Sequence, residues 1–291
     1  MRFLDFIVLC LCCLIWGGNF VLSKWMLTDL GLPPFFFACA RFAVVSLLMS
    51  PFLFPLPKKF GFLCMAALCV GALHLALLYT GLKTAPASSG SIVGQTLIPF
   101  ATILSVIFLK EHIGLKRGLG ILGALVGVIV LIYQPGDFAL DVGLIYVMMA
   151  FLMLAIGSVL IKGVGEVSPW QYLAWMGVLA VIVLGVASAL FETDQIALAK
   201  KANWKMGVGI FYTAILASLF AHGQYFRLLK TYDVTLIVPL TMMTPFWGVI
   251  LGVLMRGEPF GTQFIVGAVL ISVSVYVIAR RGKIATEVVY E

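Results

Sequence analysis

The chain is 291 residues long, 63% hydrophobic and 11% charged, with a mean hydropathy of +1.14 and a formal net charge of +7. A soluble domain carries about 45–50% apolar and about 25% charged residues, so a water-facing globule, a disordered chain, a collagen-like repeat and a disulfide scaffold are all excluded. The basic residues sit in short clusters between apolar stretches, which is a membrane-topology pattern and argues against a nucleic-acid partner.

A helix needs about 20 residues to cross a hydrocarbon core of about 30 Å, so this length with short connections predicts about ten crossings. In chain order the charge-poor runs are 4–24, 34–54, 60–83, 86–109, 116–134, 141–162, 169–190, 206–229, 234–255 and 260–279. Even polar/apolar alternation is absent, which argues against an outer-membrane barrel. The first run begins like a secretory signal. However, Trp16-Gly17-Gly18-Asn19 offers no small-x-small cleavage site and the apolar run continues through Val21 and Leu22, so the helix is expected to be kept. The six cysteines, Cys10, Cys12, Cys13, Cys39, Cys64 and Cys69, lie in apolar stretches without metal-ligand spacing. They are expected as buried free thiols, and no metal or cofactor is expected.

Basic-residue bias sets the orientation. Ten crossings place Arg2, Lys58, Lys59, Lys110, Lys116, Arg117, Lys162, Arg227, Lys230, Arg280, Arg281 and Lys283 on one side, twice the number on the other. That side is expected to be the cytoplasm, with both termini in it. The connection from Phe191 to Trp204, with Lys200 and Lys201, runs against this bias and is expected to lie along the membrane surface as a short amphipathic stretch.

The sequence repeats itself at an offset of 147. Leu82-Lys83-Thr84 recurs as Leu229-Lys230-Thr231, Glu111 as Glu258, Gly114 as Gly261 and Gly120 as Gly267. Five crossings per half is an odd number, so the second half enters the membrane from the opposite side. The fold expected is an all-α membrane protein of ten transmembrane helices. It forms two inverted five-helix repeats, residues 1–136 and 137–291, around a central cavity.

Several short segments carry a family resemblance. They are Trp16-Gly17-Gly18-Asn19-Phe20 in the first span, Ala40-Arg41-Phe42 in the second, Leu109-Lys110-Glu111 and Gly257-Glu258-Pro259 after the fourth and ninth, and the glycine-rich stretch Gly120 to Ile132. On these the chain resembles the ten-helix drug/metabolite transporters of the EamA-like type, and among them most the amino-acid and metabolite exporters. The resemblance implies a carrier in a bacterial inner membrane, with lipid and a small-molecule solute as its partners. It does not name the solute.

The polar residues inside the spans are the site candidates. Trp16, Asn19, Phe20 and Ser23 share one helical face. Gln95 lies in the fourth span, His74 in the third, and His222, Gln224 and Tyr225 in the eighth. A buried amide or imidazole in lipid needs a partner or water, so each serves either as interhelical glue or as cavity lining. Arg41 lies about 10 Å into its helix. It snorkels to the surface, bonds a neighbouring helix, or binds a solute carboxylate or phosphate. Aromatic residues such as Tyr79, Phe100, Tyr225, Phe246 and Trp247 are candidates for packing or for stacking on an organic solute.

Glu111 and Glu258, just before the fifth and tenth spans, suit capping of a helix N-terminus, with coupling the rival role. Pro99 and Pro245, with Pro239, remove backbone donors and mark candidate bends for gating. Gly123 and Gly127 permit close approach of a helix from this chain or from a second copy, so monomer and dimer stay open.

No Asp or Glu lies deep in any span. Proton coupling would therefore fall to His74 or His222, or to charge on the solute; facilitated exit needs neither. The expected solute contacts are Asn19, Arg41, Gln95, His222 and Tyr225, in a transporter exporting a small polar metabolite such as an amino acid or derivative by alternating access. The rival within transport is import or exchange of a nucleotide, vitamin or cationic solute. The rival outside it, a lipid-modifying enzyme, has only His112 beside Glu111 and lacks metal or triad spacing.

Overall fold

The computed structural model describes residues 1–109, 114–134, 139–164, 167–232, 237, 240–241, 243–258 and 261–279. Seven helices in it are long and apolar enough to cross a membrane: Phe3–Thr28, Pro34–Phe52, Phe60–Leu82, Ala87–Phe108, Val142–Ile161, Pro169–Phe191 and Trp204–Tyr225. Three further apolar segments, Gly118–Leu131, Met243–Arg256 and Thr262–Ile278, are shorter. The helix of the fifth run extends over Leu115–Ile132, with Lys116 and Arg117 in its first turn.

We number the helices α1 (Phe3–Thr28), α2 (Pro34–Met49, continued by a 3₁₀ turn Ser50–Phe52), α3 (Phe60–Leu82), α4 (Ala87–Phe108), α5 (Leu115–Ile132), α6 (Val142–Lys162), α7 (Pro169–Phe191), α8 (Gln195–Ala202), α9 (204–231), α10 (Met243–Arg256) and α11 (Thr262–Ala279). The connection between α5 and α6 holds a two-residue antiparallel bridge, with Tyr133 opposite Leu140. The connection between residues 191 and 204 contains the short helix α8. Asp194 (φ 59°) and Asn203 (φ 53°) bound it in left-handed conformations that Asp and Asn tolerate. Gln195 Nε2 donates to Ser188 O and Glu192 O, tying it to α7.

Two pairs of helices, α5 with α11 and α2 with α7, lie against each other head to tail. Gly120 of α5 faces Ile278 of α11 and Gly127 faces Ile271, each so close that a Cβ on the glycine would stand 2.8 Å from the isoleucine side chain. The Gly123/Gly127 stripe is thus used within the chain. In the pair α2/α7, Phe35 and Phe36 N–H at the start of α2 donate to Glu192 at the end of α7. Trp175 near the start of α7 donates to Leu53 O beyond the end of α2.

The leading helix of each half crosses over. α1 packs on α9 and α10, and α6 packs on α3 and α4. Large apolar side chains such as Phe108, Leu122, Leu190 and Val269 point outward, the surface a lipid solvent requires. All six cysteines are free thiols. Only Cys12 and Cys13 are buried, however, and the other four are half-buried, Cys10 against Met243 and Cys39 against Val181.

Candidate functional site

The first helix carries two glycines that bring it into backbone contact with the second half. A Cβ on Gly17 would lie 2.7 Å from Gly248 N and from Thr244 O of α10, and Gly18 lies against the hydroxyl of Tyr212. With that face committed to packing, Trp16, Asn19 and Phe20 turn toward a cavity of about 440 Å³. Helices α1, α2, α3, α4, α6, α7 and α9 line it together with Thr241 and Thr244. This falls within the range of about 300–1,000 Å³ usual for small-molecule sites.

Every solute contact expected from the sequence lines this one cavity: Asn19, Arg41, Gln95, His222 and Tyr225, joined by His74. Arg41 does not snorkel. It is 7% exposed, and its Nη1 donates to Tyr79 OH (2.9 Å). Its Nε and Nη2 both donate to Ser218 Oγ (3.2 and 2.8 Å). Ser218 Oγ in turn donates to Thr213 O, and Tyr79 is held by stacking on Phe37 with ring centroids 5.2 Å apart. Among the described residues no carboxylate lies within ion-pair distance of Arg41.

Both cavity histidines follow a stretch of π-helix, Leu68–Leu73 in α3 and Phe211–Ala221 in α9. The wider turn frees backbone carbonyls, a feature common at functional sites. Ala217 O uses this to accept from Trp16 Nε1 (3.2 Å) and His222 Nδ1 (2.7 Å). His74 Nδ1 donates to Ala150 O (2.9 Å), and its ring meets Phe151 edge-on at 5.1 Å. A carbonyl accepts only, so Nδ1 carries the proton in both rings. Trp16 also meets His222 and Tyr225 edge-on, at 5.1 and 5.4 Å.

Gln95 sits in a 3₁₀ turn, Gly94–Thr96, that interrupts α4. Its carboxamide makes no hydrogen bond to the described residues, and the Asn19 side-chain oxygen is buried without a partner.

The cavity reaches one end of the bundle and stops short of the other. Its lining includes Pro169 and Trp170, the first residues of α7, at the end that holds the amino terminus. Toward the opposite end it stops at Phe20, Arg41, Leu78 and Ser91. Beyond them polar contacts close the bundle. Lys24 Nζ donates to Ala85 O (2.7 Å), Leu82 O (3.2 Å) and Thr84 O (3.4 Å). The Glu258 carboxylate accepts from Ala87 N–H and Ser88 N–H, each at 2.7 Å.

Glu258 therefore caps α4, not the tenth span that follows it in sequence. Gly257, in the left-handed region (φ 62°), turns the chain back at the end of α10, and Gly252 leaves room for the carboxylate. At the rim Arg256 pairs with Asp29, and this hydrogen bond holds the Asp29 carboxyl below its ordinary range.

Several expectations land elsewhere. Glu111, His112, Pro239, Pro259 and Met242 lie outside the described residues. Pro99 and Pro245 are buried but do not line the cavity; Pro245 O accepts from Ser91 Oγ (3.5 Å) at the α4/α10 contact. Ser23 is buried past the cavity, and Gln224 turns outward to accept from Arg227 (2.9 Å). Of the aromatic residues offered for stacking only Tyr225 lines the cavity, beside Trp16 and Phe20 of the first span, and Phe246 is exposed. Sequence reasoning missed Ser218, Phe151 and Trp170. Ser218 meets Arg41 across 177 residues of sequence, and no local spacing signals such a contact.

The EamA-like transporter family profile matches the chain twice, over residues 5–133 and 141–280. Among curated relatives, a protein named "Probable amino-acid metabolite efflux pump" in Salmonella typhimurium is 26% identical over 90% of this chain and 90% of its own length. Its namesake in Escherichia coli is 26% identical over 94% of each chain. A WAT1-related chloroplast protein of Arabidopsis thaliana is 26% identical over 95% of this chain and 69% of its own length. A solved crystal structure with 16% identity superposes at a TM-score of 0.56, covering 97% of this chain and 99% of that one, which shows the shared fold. The family is one of transporters and not of enzymes. This multi-pass membrane protein belongs to the EamA-like transporter family.

Proposed function

We propose that the protein is a carrier of a bacterial inner membrane that exports a small polar metabolite, an amino acid or a derivative of one. In this reading ten segments cross the membrane as two inverted halves with both termini in the cytoplasm. The observation that carries it is the cavity itself, where polar groups from both halves, Asn19, Arg41 and Gln95 with His222 and Tyr225, face one space. The efflux pumps named among the relatives support the direction of flux. With the amino-terminal end in the cytoplasm, the conformation described is open inward and sealed outward. Alternating access then requires the Lys24 and Glu258 contacts to part while the inner helix ends close. Pro99 and Pro245 serve as the bends in this exchange, and His74 and His222 are the groups available for proton coupling.

Counterflow in proteoliposomes against a panel of amino acids, derivatives, nucleotides and cations tests the reading. A solute that exchanges across the bilayer only when the protein is present is expected. Gln95→Ala and His222→Ala are each expected to weaken that exchange. If both variants leave it unchanged, the site assignment is wrong.

A further inference from the structure

Arg41 is a buried cation whose hydrogen-bond partners are two hydroxyls. The Phe42 ring centre lies 5.8 Å from its guanidinium carbon, and among the described residues no negative charge sits beside it. A guanidinium in a low-dielectric interior is costly unless a counter-charge sits beside it, and neither Tyr79 nor Ser218 supplies one. Three of its five N–H donors are taken by these hydroxyls, which leaves two. Two donors on one planar group match the two oxygens of a carboxylate.

The rest of the lining narrows the choice. Among the described residues Arg41 is the only charged side chain of the cavity, and no Asp or Glu lines it. One positive charge balances one negative charge, so a phosphate dianion would leave an uncompensated charge behind. The ammonium group of a neutral amino acid would likewise find no carboxylate. The two imidazoles commit Nδ1–H to backbone carbonyls and bring no negative charge. Toward the mouth the walls are aromatic, with Trp16, Trp170 and Tyr225, and Phe151 lies deeper, stacked on Phe20.

We infer that the solute is an organic monoanion, a carboxylate on an apolar or aromatic body, with the carboxylate seated on Arg41 and the body among Trp16, Phe151 and Tyr225. This rests on the carrier reading above and narrows its substrate class from amino acids at large to anionic derivatives lacking a free ammonium. It also supplies a driving force, because an inside-negative membrane potential moves a monoanion outward without a co-transported proton.

The test uses three probes with one phenylethyl body: 3-phenylpropionate (anion), phenylalanine (zwitterion) and 2-phenylethylamine (cation). Binding to the full chain in nanodiscs is read by quenching of tryptophan fluorescence, since Trp16 and Trp170 line the cavity. The anion is expected to bind about tenfold tighter than the other two, the worth of one charge-assisted hydrogen bond. Arg41→Gln is expected to erase that preference. Arg41→Lys keeps the charge and is expected to keep its sign, which separates lost recognition from lost folding.

Equal affinity for the three probes, binding of none, or a preference that survives Arg41→Gln overturns the inference. In proteoliposomes an inside-positive potential is expected to speed uptake of labelled 3-phenylpropionate. Anion-selective binding without any flux defeats the carrier reading and leaves the anion site standing. Flux of the zwitterion or cation without anion binding does the reverse.

Discussion

The two ends of the bundle are held by different kinds of contact. At the sealed end the bonds from two helices converge on the start of a third: Lys24 of α1 reaches the turn between α3 and α4, and Glu258 beyond α10 caps α4. At the open end they stay within neighbouring pairs. Asp5 of α1 takes hydrogen bonds from Arg227 (2.9 Å) and Tyr232 (2.7 Å) of α9 and its following turn. Gln171 of α7 donates to Pro55 beyond α2. The open-end ties join α1 to α9 and α2 to α7 separately, whereas the sealed-end ties gather α1, α4 and α10 at one point. One end of a single fold is shut by a few charged hydrogen bonds, and the apolar packing of the helix pairs is common to both ends.

The strongest way to break this contrast is Glu258→Ala. It strands the buried N–H groups of Ala87 and Ser88, at about 1–3 kcal/mol for each. A fall in Tm of several degrees is expected, smaller for Glu258→Gln, which keeps one acceptor. An unchanged Tm would show that the cap does not hold the seal. Lys24→Met comes next, with an expected loss of about 1–2 kcal/mol from its bonds to Leu82, Thr84 and Ala85 carbonyls. In a cysteine-free background this change should speed labelling of Ser89→Cys by a thiol reagent added from the sealed side, while labelling at Trp170→Cys in the mouth stays as it was.

At the open end the expected effect moves from stability to binding. Gln95 bonds to no described residue, so Gln95→Ala should leave Tm within the scatter of a neutral substitution, about 0.5 kcal/mol. It should weaken solute affinity by the worth of one hydrogen bond, about 1 kcal/mol. A stability loss without an affinity loss would reassign Gln95 to packing.

The smallest effect belongs to the rim pair Asp29–Arg256, which is partly exposed and worth less than about 1 kcal/mol. The hydrogen bond from Arg256 lowers the Asp29 pKa in the folded state. Its contribution is therefore present above the ordinary value of 3.8 and is lost only as pH falls through the lowered one. Tm of wild type and Asp29→Asn should differ by the same small amount from pH 8 to pH 5 and converge only in stronger acid.

How much of this was legible beforehand follows from the range of each interaction. The apolar runs, the offset repeat and the odd number of runs per half belong to local hydropathy and to counting, and they required neither packing nor a partner. The short polar helix α8 interrupts the apolar pattern at its charges, Asp194, Lys200 and Lys201. The cavity residues were visible as polar groups too costly to leave in lipid, because that cost is a property of one side chain in one solvent.

What tertiary structure decided is which groups meet. Arg41 had three open fates from sequence, and only the arrival of Ser218 and Tyr79 from two other helices chose among them. Glu258 reads as a cap for the helix that follows it, yet the packing of α4 against α10 brings the N-terminus of α4 within its reach instead. A side chain's desolvation cost is written in its own chemistry. Its partner is set by where remote helices cross, and that geometry exists only once the chain has folded.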